Sequence, residues 1–254
     1  MLDVLSLYDQ DERQYAEQPG MRHEVAAGVV RLVDTVSTYS TVIYSCLTTD
    51  DADQVIQREA LYFKQLAHTV EWKLFSHDAP HDLGERLLSK GFSAEEPESI
   101  MVLQLDQAPP SLLAEAPFEI RRVTDLDGLK DVARVWTMND HRVALLAELG
   151  HLLLHHPEYL SVYVAYDNGV PVSTARVHFP NRSAFASLWG GETVPSHRKR
   201  GYYTALLALR VQEAVRRGYR FLTIDAGQMS RPIVEEHGFR LLTSSQPYVL
   251  SPKG

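Results

Sequence analysis

The sequence has 254 residues, of which 44% are hydrophobic and 23% are charged, as is ordinary for a soluble globular protein of one or two domains. Its formal net charge of −8 disfavours a protein that binds nucleic-acid phosphates over its whole surface. A single cysteine excludes an internal disulfide and a zinc site built from cysteines of this chain alone.

The amino-terminal segment carries four acidic residues before its first basic residue, Arg13, unlike a signal or transit peptide. No apolar run approaches the roughly 20 residues that cross a bilayer. We therefore expect a cytoplasmic protein without a membrane partner. Cys46 lies in the β-branched run at residues 41–47, which predicts a strand with a buried structural thiol rather than a catalytic one.

The first part of the chain predicts a mixture of strands and helices. Strands are predicted at 29–36, 41–47, 70–75 and 100–105, and helices at 51–68 and 82–90. Three prolines among residues 109–117 then indicate a linker, because proline lacks the backbone donor that helix interiors and strands need. The predicted organisation is an amino-terminal domain at 1–106, a linker at 107–117 and a carboxyl-terminal domain at 118–254.

The carboxyl-terminal domain predicts an antiparallel meander that leads into a β-α-β unit. Strands are predicted at 118–121, 160–166, 170–179, 184–194 and 220–225, with a closing strand pair in 239–250, and helices at 125–137, 141–155, 202–217 and 231–237. The turn Asp167-Asn168-Gly169 is a strong hairpin signal. The fold class is therefore α+β.

A basic turn joins the strand at 184–194 to the helix at 202–217. Arg198, Lys199 and Arg200 supply positive charge there, and Gly201 lets the backbone approach a ligand closely. The unpaired N–H groups of a first helical turn bind phosphate oxygens. Gly190 and Gly191 indicate a bulge or a strand edge left open for a ligand. The alternative interpretation is an ordinary solvated basic turn.

The spacing Pro195-x-x-Arg198-x-x-Gly201, before an amphipathic helix, a strand and a short helix that ends in Gly238-Phe239, resembles the acetyl-CoA-binding core of the GNAT N-acetyltransferases. The resemblance covers residues 118–250. It implies a mixed, mostly antiparallel sheet flanked by helices, acetyl-CoA as the cofactor, and transfer of an acetyl group to a primary amine of a small molecule or peptide.

The amino-terminal domain repeats this element order, including Gly91-Phe92, and is interpreted as a second, smaller α/β domain that is a degenerate GNAT-like copy. Its matching turn, residues 48–53, has three carboxylates that would repel a pyrophosphate. The roles left open for this half are structural support, formation of a homodimer, and one wall of the substrate cleft.

The resemblance also implies which residues bind the cofactor. The backbone of the turn would bind the pyrophosphate, the backbone of the preceding strand would pair with the pantetheine arm, and the start of the last helix would lie near the thiol. These residues are Arg198, Lys199, Arg200, Gly201, Tyr202, Tyr203 and Thr204 in the turn, Thr193 and Val194 in the strand, and Ser230 and Pro232 in the helix. Tyr203 replaces a small residue of the family pattern, so its ring must point away from the phosphates.

Acetylation of an amine needs a proton acceptor, and Glu192 is the first candidate, with His178 on the preceding strand second. A solvent-facing Glu192 and a structural His178 are the alternatives. Many relatives have a tyrosine as general acid where this chain has Val234. Tyr248, Tyr203 and His237 are substitutes by residue type, and a water molecule is another.

The loop at residues 136–142 is the predicted acceptor contact, because the resembled family often uses that loop. His151 and His155 are spaced as two metal ligands could be, but leucines lie between them and no metal is expected. The acidic balance favours a cationic acceptor. A non-catalytic CoA-binding regulatory module is the competing function, and a nucleic-acid partner is disfavoured because one basic turn offers few phosphate contacts.

Overall fold

The computed structural model describes residues 3–252. Contacts between Cα atoms divide the chain into two compact units that are interleaved in sequence. Unit 1 comprises the described residues up to Met101, Asp225–Ile233, and those from Leu241 onward, and unit 2 comprises Val102–Ile224 and Val234–Arg240. The predicted linear domains therefore differ from the contact-based units, because two late segments join unit 1. Residues 1–2 and 253–254 of the predicted domains lie outside the described residues.

The described chain contains eight α-helices and twelve strands. The helices are α1 (Val4–Tyr8), α2 (Ala52–Gln65), α3 (Leu83–Ser89), α4 (Pro110–Leu113), α5 (Gly128–Val135), α6 (Asp140–His155), α7 (Tyr202–Arg216) and α8 (Arg231–Glu236). The strands are β1 (Met21–Ala26), β2 (Val29–Asp34), β3 (Tyr39–Ser45), β4 (Thr69–Phe75), β5 (Ser93–Ala94), β6 (Glu98–Gln104), β7 (Glu119–Val123), β8 (Leu160–Asp167), β9 (Val170–His178), β10 (Phe185–Thr193), β11 (Phe221–Ala226) and β12 (Arg240–Leu250). No helix among residues 3–252 has the length and apolarity needed to cross a bilayer.

Unit 1 is built on an antiparallel meander followed by a parallel crossover. β1 pairs with β2 and β2 with β3 in antiparallel fashion, and α2 then carries the chain to β4, which lies parallel to β3. The apolar face of α2 packs Ile56 and Phe63 into a cluster that includes Val42 and Trp72, and all four side chains are fully buried. β12 pairs with β4, so the last strand of the chain completes this unit.

Unit 2 has the same order of elements. β7, β8, β9 and β10 form an antiparallel meander, and α7 crosses over to β11, which lies parallel to β10. Residues Leu160, Val162 and Val164 of β8 pack with α5 and α6 on one face of the sheet. On the opposite face Ser161 and Tyr163 donate hydrogen bonds to Glu213 of α7. β8 and β9 are therefore covered on both sides, so nearly all of their residues are buried, including polar ones.

The structure confirms the predicted α+β class and the element order, and it departs from the sequence predictions in several places. Cys46 is exposed and lies just after β3, so the prediction of a buried thiol within the strand is wrong. β12 is one strand rather than a pair, because its polar middle alternates buried Thr243 and Ser245 with half-buried neighbours along β4. The predicted linker contains α4, whose Leu112 is fully buried. β1 carries no strong apolar alternation and was not predicted.

Candidate functional site

The carboxyl-terminal half of β10 has an open edge. β10 pairs with β11 only from Phe185 to Leu188, and its remaining residues pair with β9 alone. The register with β9 shifts between Trp189 and Glu192, where Gly190 has a φ of 58°. A bulge bends the strand and changes the direction of its backbone groups. The glycine pair predicted to form a bulge with an open edge does so.

The turn after β10 presents the uncapped start of a helix. Gly201 is the N-cap of α7 with a φ of 92°, and no side chain caps it. Ala205 N–H donates to Gly201 O, which leaves the preceding N–H groups of the first turn without intrahelical acceptors. Lys199 also has a positive φ, 60°, and such a succession of conformations turns neighbouring N–H groups toward one side. These groups and the helix dipole make a phosphate-sized anion site.

Side chains tie the basic turn to the hairpin beside it. Arg198 Nε donates to the carbonyl of Thr193 at 3.1 Å. The carboxylate of Asp167, at the β8–β9 turn, lies 3.1 Å from His197 Nε2 and 3.4 Å from Arg200 Nη2. Arg200 remains half exposed, so its charge faces solvent beside the uncapped helix. Asp167 therefore connects the turn to the hairpin, and the turn keeps an excess of positive charge.

The predicted pantetheine-binding residues differ in whether their backbone N–H groups are available to a ligand. Val194 N–H already donates to Val172 O at 2.9 Å and is not available to a ligand. Because backbone groups alternate in direction along a strand, the N–H of Thr193 points to the open side. Tyr203 is half-buried rather than part of the core, and its ring lies so close to Gly191 that a Cβ there would be 2.8 Å from it.

The remaining predicted cofactor residues lie at two places. Tyr202 is buried against the ring of Phe118, with ring centroids 4.5 Å apart. Ser230 and Pro232 lie at the start of α8, in a segment that belongs to unit 1, and the Ser230 hydroxyl donates to Gly227 O. Their role near a thiol stays a prediction.

Of the proton-transfer candidates, Glu192 lies at the bulge and is accessible. Its carboxylate accepts a hydrogen bond from Arg142 Nη2 at 3.0 Å, and the side chain is about one quarter exposed. The guanidinium of Arg142 lies over the ring of Trp136 at 4.6 Å. The predicted acceptor loop therefore contacts the predicted base, an association that the sequence spacing of 50 residues did not reveal.

His178 does not suit the role of a base at neutral pH. Burial and the neighbouring charge of Arg176 lower the pKa of His178 to about 3, so its imidazole is neutral and holds a proton poorly. Its ring stacks on Trp189 with centroids 5.7 Å apart. This geometry favours the structural alternative for His178.

The candidates for the general acid are not brought to one place. Tyr248 is buried in the core cluster of unit 1, where its hydroxyl donates to Gln246 and burial raises its pKa. His237 Nε2 lies 3.3 Å from Thr204 Oγ1 of α7. Val234 is fully buried, so the position of the usual tyrosine is part of an apolar core here.

Sequence reasoning missed Arg176. It lies on β9 in register with Trp189, is buried, and has no hydrogen-bond partner for its Nε. A charged residue inside the apolar run at 170–179 was a signal that could have identified it.

Part of the chain is similar to a known protein family. Residues 127–239 match the model of the Acetyltransferase (GNAT) family. This match includes the bulged strand, the basic turn and α7, so this part of the chain is similar to the acetyltransferases of the GNAT family. No curated protein sequence matches the chain.

Solved structures extend the similarity in fold to both halves. A GCN5-related N-acetyltransferase from Kribbella flavida has a TM-score of 0.69 at 16% identity, over 92% of this chain and 91% of that one. A functionally unknown conserved protein from Staphylococcus epidermidis has a TM-score of 0.65 at 12% identity, over 92% and 94%. A tandem GNAT protein from the clavulanic acid biosynthesis pathway has a TM-score of 0.64 at 10% identity, over 93% and 85%. The tandem relative agrees with the interpretation of unit 1 as a GNAT-like copy.

Proposed function

We propose that this protein is an acetyl-CoA-dependent N-acetyltransferase that acetylates a primary amine of a small molecule or peptide in the cytoplasm. One observation carries the proposal. β10 leaves β11 after Leu188, and the edge it opens leads directly to the uncapped, cationic start of α7. A ligand with an amide-containing arm and a pyrophosphate matches that succession of an open strand edge and an anion site.

The groups that the turn and the strand edge present support acetyl-CoA as the ligand. The N–H groups of Tyr202, Tyr203 and Thr204 would hold phosphate oxygens, and the N–H of Thr193 would pair with the pantetheine arm. Arg200 adds long-range attraction in a protein whose net charge is −8. The bound thioester supplies an activated acetyl group, and the chain supplies orientation and proton transfer.

Glu192 is the proposed proton acceptor. It lies at the bulge where the open edge begins, and Arg142 holds one of its carboxylate oxygens. The protonated amine would lose one proton to Glu192, and the freed lone pair would form the bond to the acetyl carbon. The nitrogen would lose its second proton to solvent as the carbon–sulfur bond breaks. Because the usual tyrosine is replaced by buried Val234, the leaving thiolate takes its proton from solvent.

The second candidate function is a CoA-binding regulatory module without turnover. The buried, apolar Val234 favours it, because no side chain at that position can donate a proton. Both functions predict the same cofactor site, so they differ only in the transfer step.

Two measurements on the full chain separate these functions. Isothermal titration with acetyl-CoA tests the site, and release of free thiol across a panel of primary amines tests the transfer. We expect binding together with thiol release for at least one amine. Binding without thiol release from any amine would favour the module, and absence of binding would refute both functions.

A further inference from the structure

Arg176 is a buried cation with an unsatisfied hydrogen-bond donor. It is only 9% exposed, and its Nε has no hydrogen-bond partner. The carboxylate that favours its charged form is that of Glu148 on α6, a residue exposed to solvent. A buried donor on a charged group without a partner is unfavourable, so its presence in a folded protein calls for an explanation.

The arginine remains charged at physiological pH. Burial lowers its pKa to about 10, which still leaves the guanidinium protonated near neutrality. Its Nε is buried without a partner, and the side chain keeps a small exposed remnant. A desolvated guanidinium forms stronger hydrogen bonds with a carboxylate than one in water, and its planar fork matches both oxygens.

The guanidinium lies directly against the bulge of β10. A Cβ at Gly190 would be 3.2 Å from Cζ of Arg176 and would collide with its terminal nitrogen. Because Gly190 has no side chain, the Arg176 guanidinium can contact β10 near the point where β10 stops pairing with β11. That position is also where the proposed acetyl transfer occurs.

Arg176 shares a sheet face with the proposed proton acceptor. Arg176 pairs in register with Trp189, and Thr174, two residues earlier on β9, pairs with Glu192. Side chains in register lie on the same face, and two residues along a strand span roughly 7 Å. This face therefore carries the Arg176 cation two strand positions from Glu192, whose carboxylate also accepts a hydrogen bond from Arg142.

We propose that Arg176 binds the carboxylate of the acceptor, so that the acceptor is an amino carboxylate such as an amino acid. Its amine then faces Glu192 while its carboxylate takes no part in the chemistry. The inference rests on the proposed acetyltransferase function, and it refines the expectation of a cationic acceptor. The net charge describes the whole surface, whereas this acceptor is recognised by local charges of both signs.

The first test compares acceptors that differ only in the carboxylate. Thiol release is measured for the twenty L-amino acids, their carboxyl-terminal amides and the corresponding decarboxylated amines. For the best amino acid we expect kcat/KM at least about 100-fold above that of its amide and its amine, because a site built around a buried polar group rejects an analogue that leaves the group unpaired. Equal values for acid and amide would overturn the inference.

The second test replaces Arg176. In Arg176→Gln we expect the preference for the acid over the amide to disappear, through a rise in KM for the acid. Arg176→Lys keeps the charge but not the fork, and should retain part of the preference. Arg134→Gln removes an exposed arginine on α5 and should keep the full preference. Retention of the full preference by Arg176→Gln would assign Arg176 a structural role alone.

A binding measurement keeps the two proposals distinguishable. The amino acid should raise the melting temperature of the wild-type protein in the presence of CoA, and its amide should not. Acetyl transfer to amines regardless of a carboxylate would overturn only the role of Arg176. Absence of transfer to any amine would refute the proposed function, and carboxylate-dependent stabilisation would still decide the role of Arg176. If Arg176→Gln does not fold, the acid-to-amide comparison in the wild type decides alone.

Discussion

The two β-α-β segments of this chain have the same order and pairing of strands and helix. They differ in the charge of the residues at the start of the helix. In unit 1 four residue pairs join β3 to β4 in parallel, and in unit 2 four pairs join β10 to β11. The crossover helices α2 and α7 have 14 and 15 residues. Both helices therefore present the positive end of a similar dipole just after the first of the two parallel strands.

The difference lies in what occupies the first turn. Before α2, Thr48 N–H donates to the carboxylate of Asp51, and Asp51 N–H lies 3.4 Å from the Thr48 hydroxyl. Asp53 follows in the first turn and is paired with Arg86 at 2.8 Å. Neither helix has a side-chain cap, but three basic residues precede Gly201 at the start of α7. The side chains of the turn thus place negative charge at the start of α2 and positive charge at the start of α7.

The largest effect is expected from loss of glycine at the start of α7. In Gly201→Val we expect acetyl-CoA affinity to fall more than about 100-fold, because a β-branched residue is strained at a φ of 92° and its Cβ would lie 3.3 Å from the Phe118 ring. The matched control is Gly218→Val, which has a φ of 81° and open space around it. Calorimetry should show the loss in the first variant only, and equal affinities would remove the proposed role of the turn.

Replacement of the proposed proton acceptor should slow turnover without changing the affinity for acetyl-CoA. In Glu192→Gln we expect kcat to fall about 100-fold, within the usual contribution of general base catalysis, with acetyl-CoA affinity unchanged. Glu71→Gln in unit 1 removes a carboxylate that binds the Tyr39 hydroxyl and should leave kcat unaltered. A pH profile that is identical in Glu192→Gln and the wild type would exclude Glu192 as the base.

Reversal of charge makes the α7 turn resemble the α2 turn. The double substitution Lys199→Asp with Arg200→Asp should weaken acetyl-CoA binding about tenfold, since part of the attraction comes from the backbone and the dipole, which remain. Lys130→Asp with Arg134→Asp applies the same charge change on exposed α5. Titrations at low and high salt should show a salt-dependent loss for the turn variant, and equal losses in both variants would indicate a general effect of net charge.

The smallest effect concerns stability in acid. The folded-state pKa of His178 is about 3, below its ordinary value of 6.5, so the unfolded chain binds more protons in that interval. Stability is therefore lost as pH falls from about 6.5 towards 3, by at most about 1.4 kcal/mol per pH unit from this group. His178→Asn should reduce that slope in urea unfolding between pH 6 and pH 4. An unchanged slope would mean that His178 is not buried as a neutral ring.

Much of this fold was predictable because the signals are local. The helix α7 begins at Tyr202 and β9 begins at Val170, both as predicted from apolar periodicity and glycine-containing turns. The bulge followed from Gly190 and Gly191 alone. Cys46 was placed wrongly because β3 ends at Ser45, one residue before the thiol, and strand ends are set by pairing with neighbours rather than by propensity.

The candidate site was only partly predictable. Glu192 was named from its position after the glycines, but its contact with Arg142 joins residues 50 positions apart. Tyr248 was named by residue type, and the pairing of β12 with β4 places it in the unit 1 core. No pattern along one strand indicates which distant strand will pair with it.

The sequence by itself determined the two β-α-β segments, the acidic turn and the basic turn, because periodicity, glycine and charge act over a few neighbouring residues. Only the tertiary structure decided that Arg176 lies buried against Gly190, in register with Trp189 and on the face of Glu192. The reason is that burial and register depend on pairing between segments that the chain order leaves unspecified.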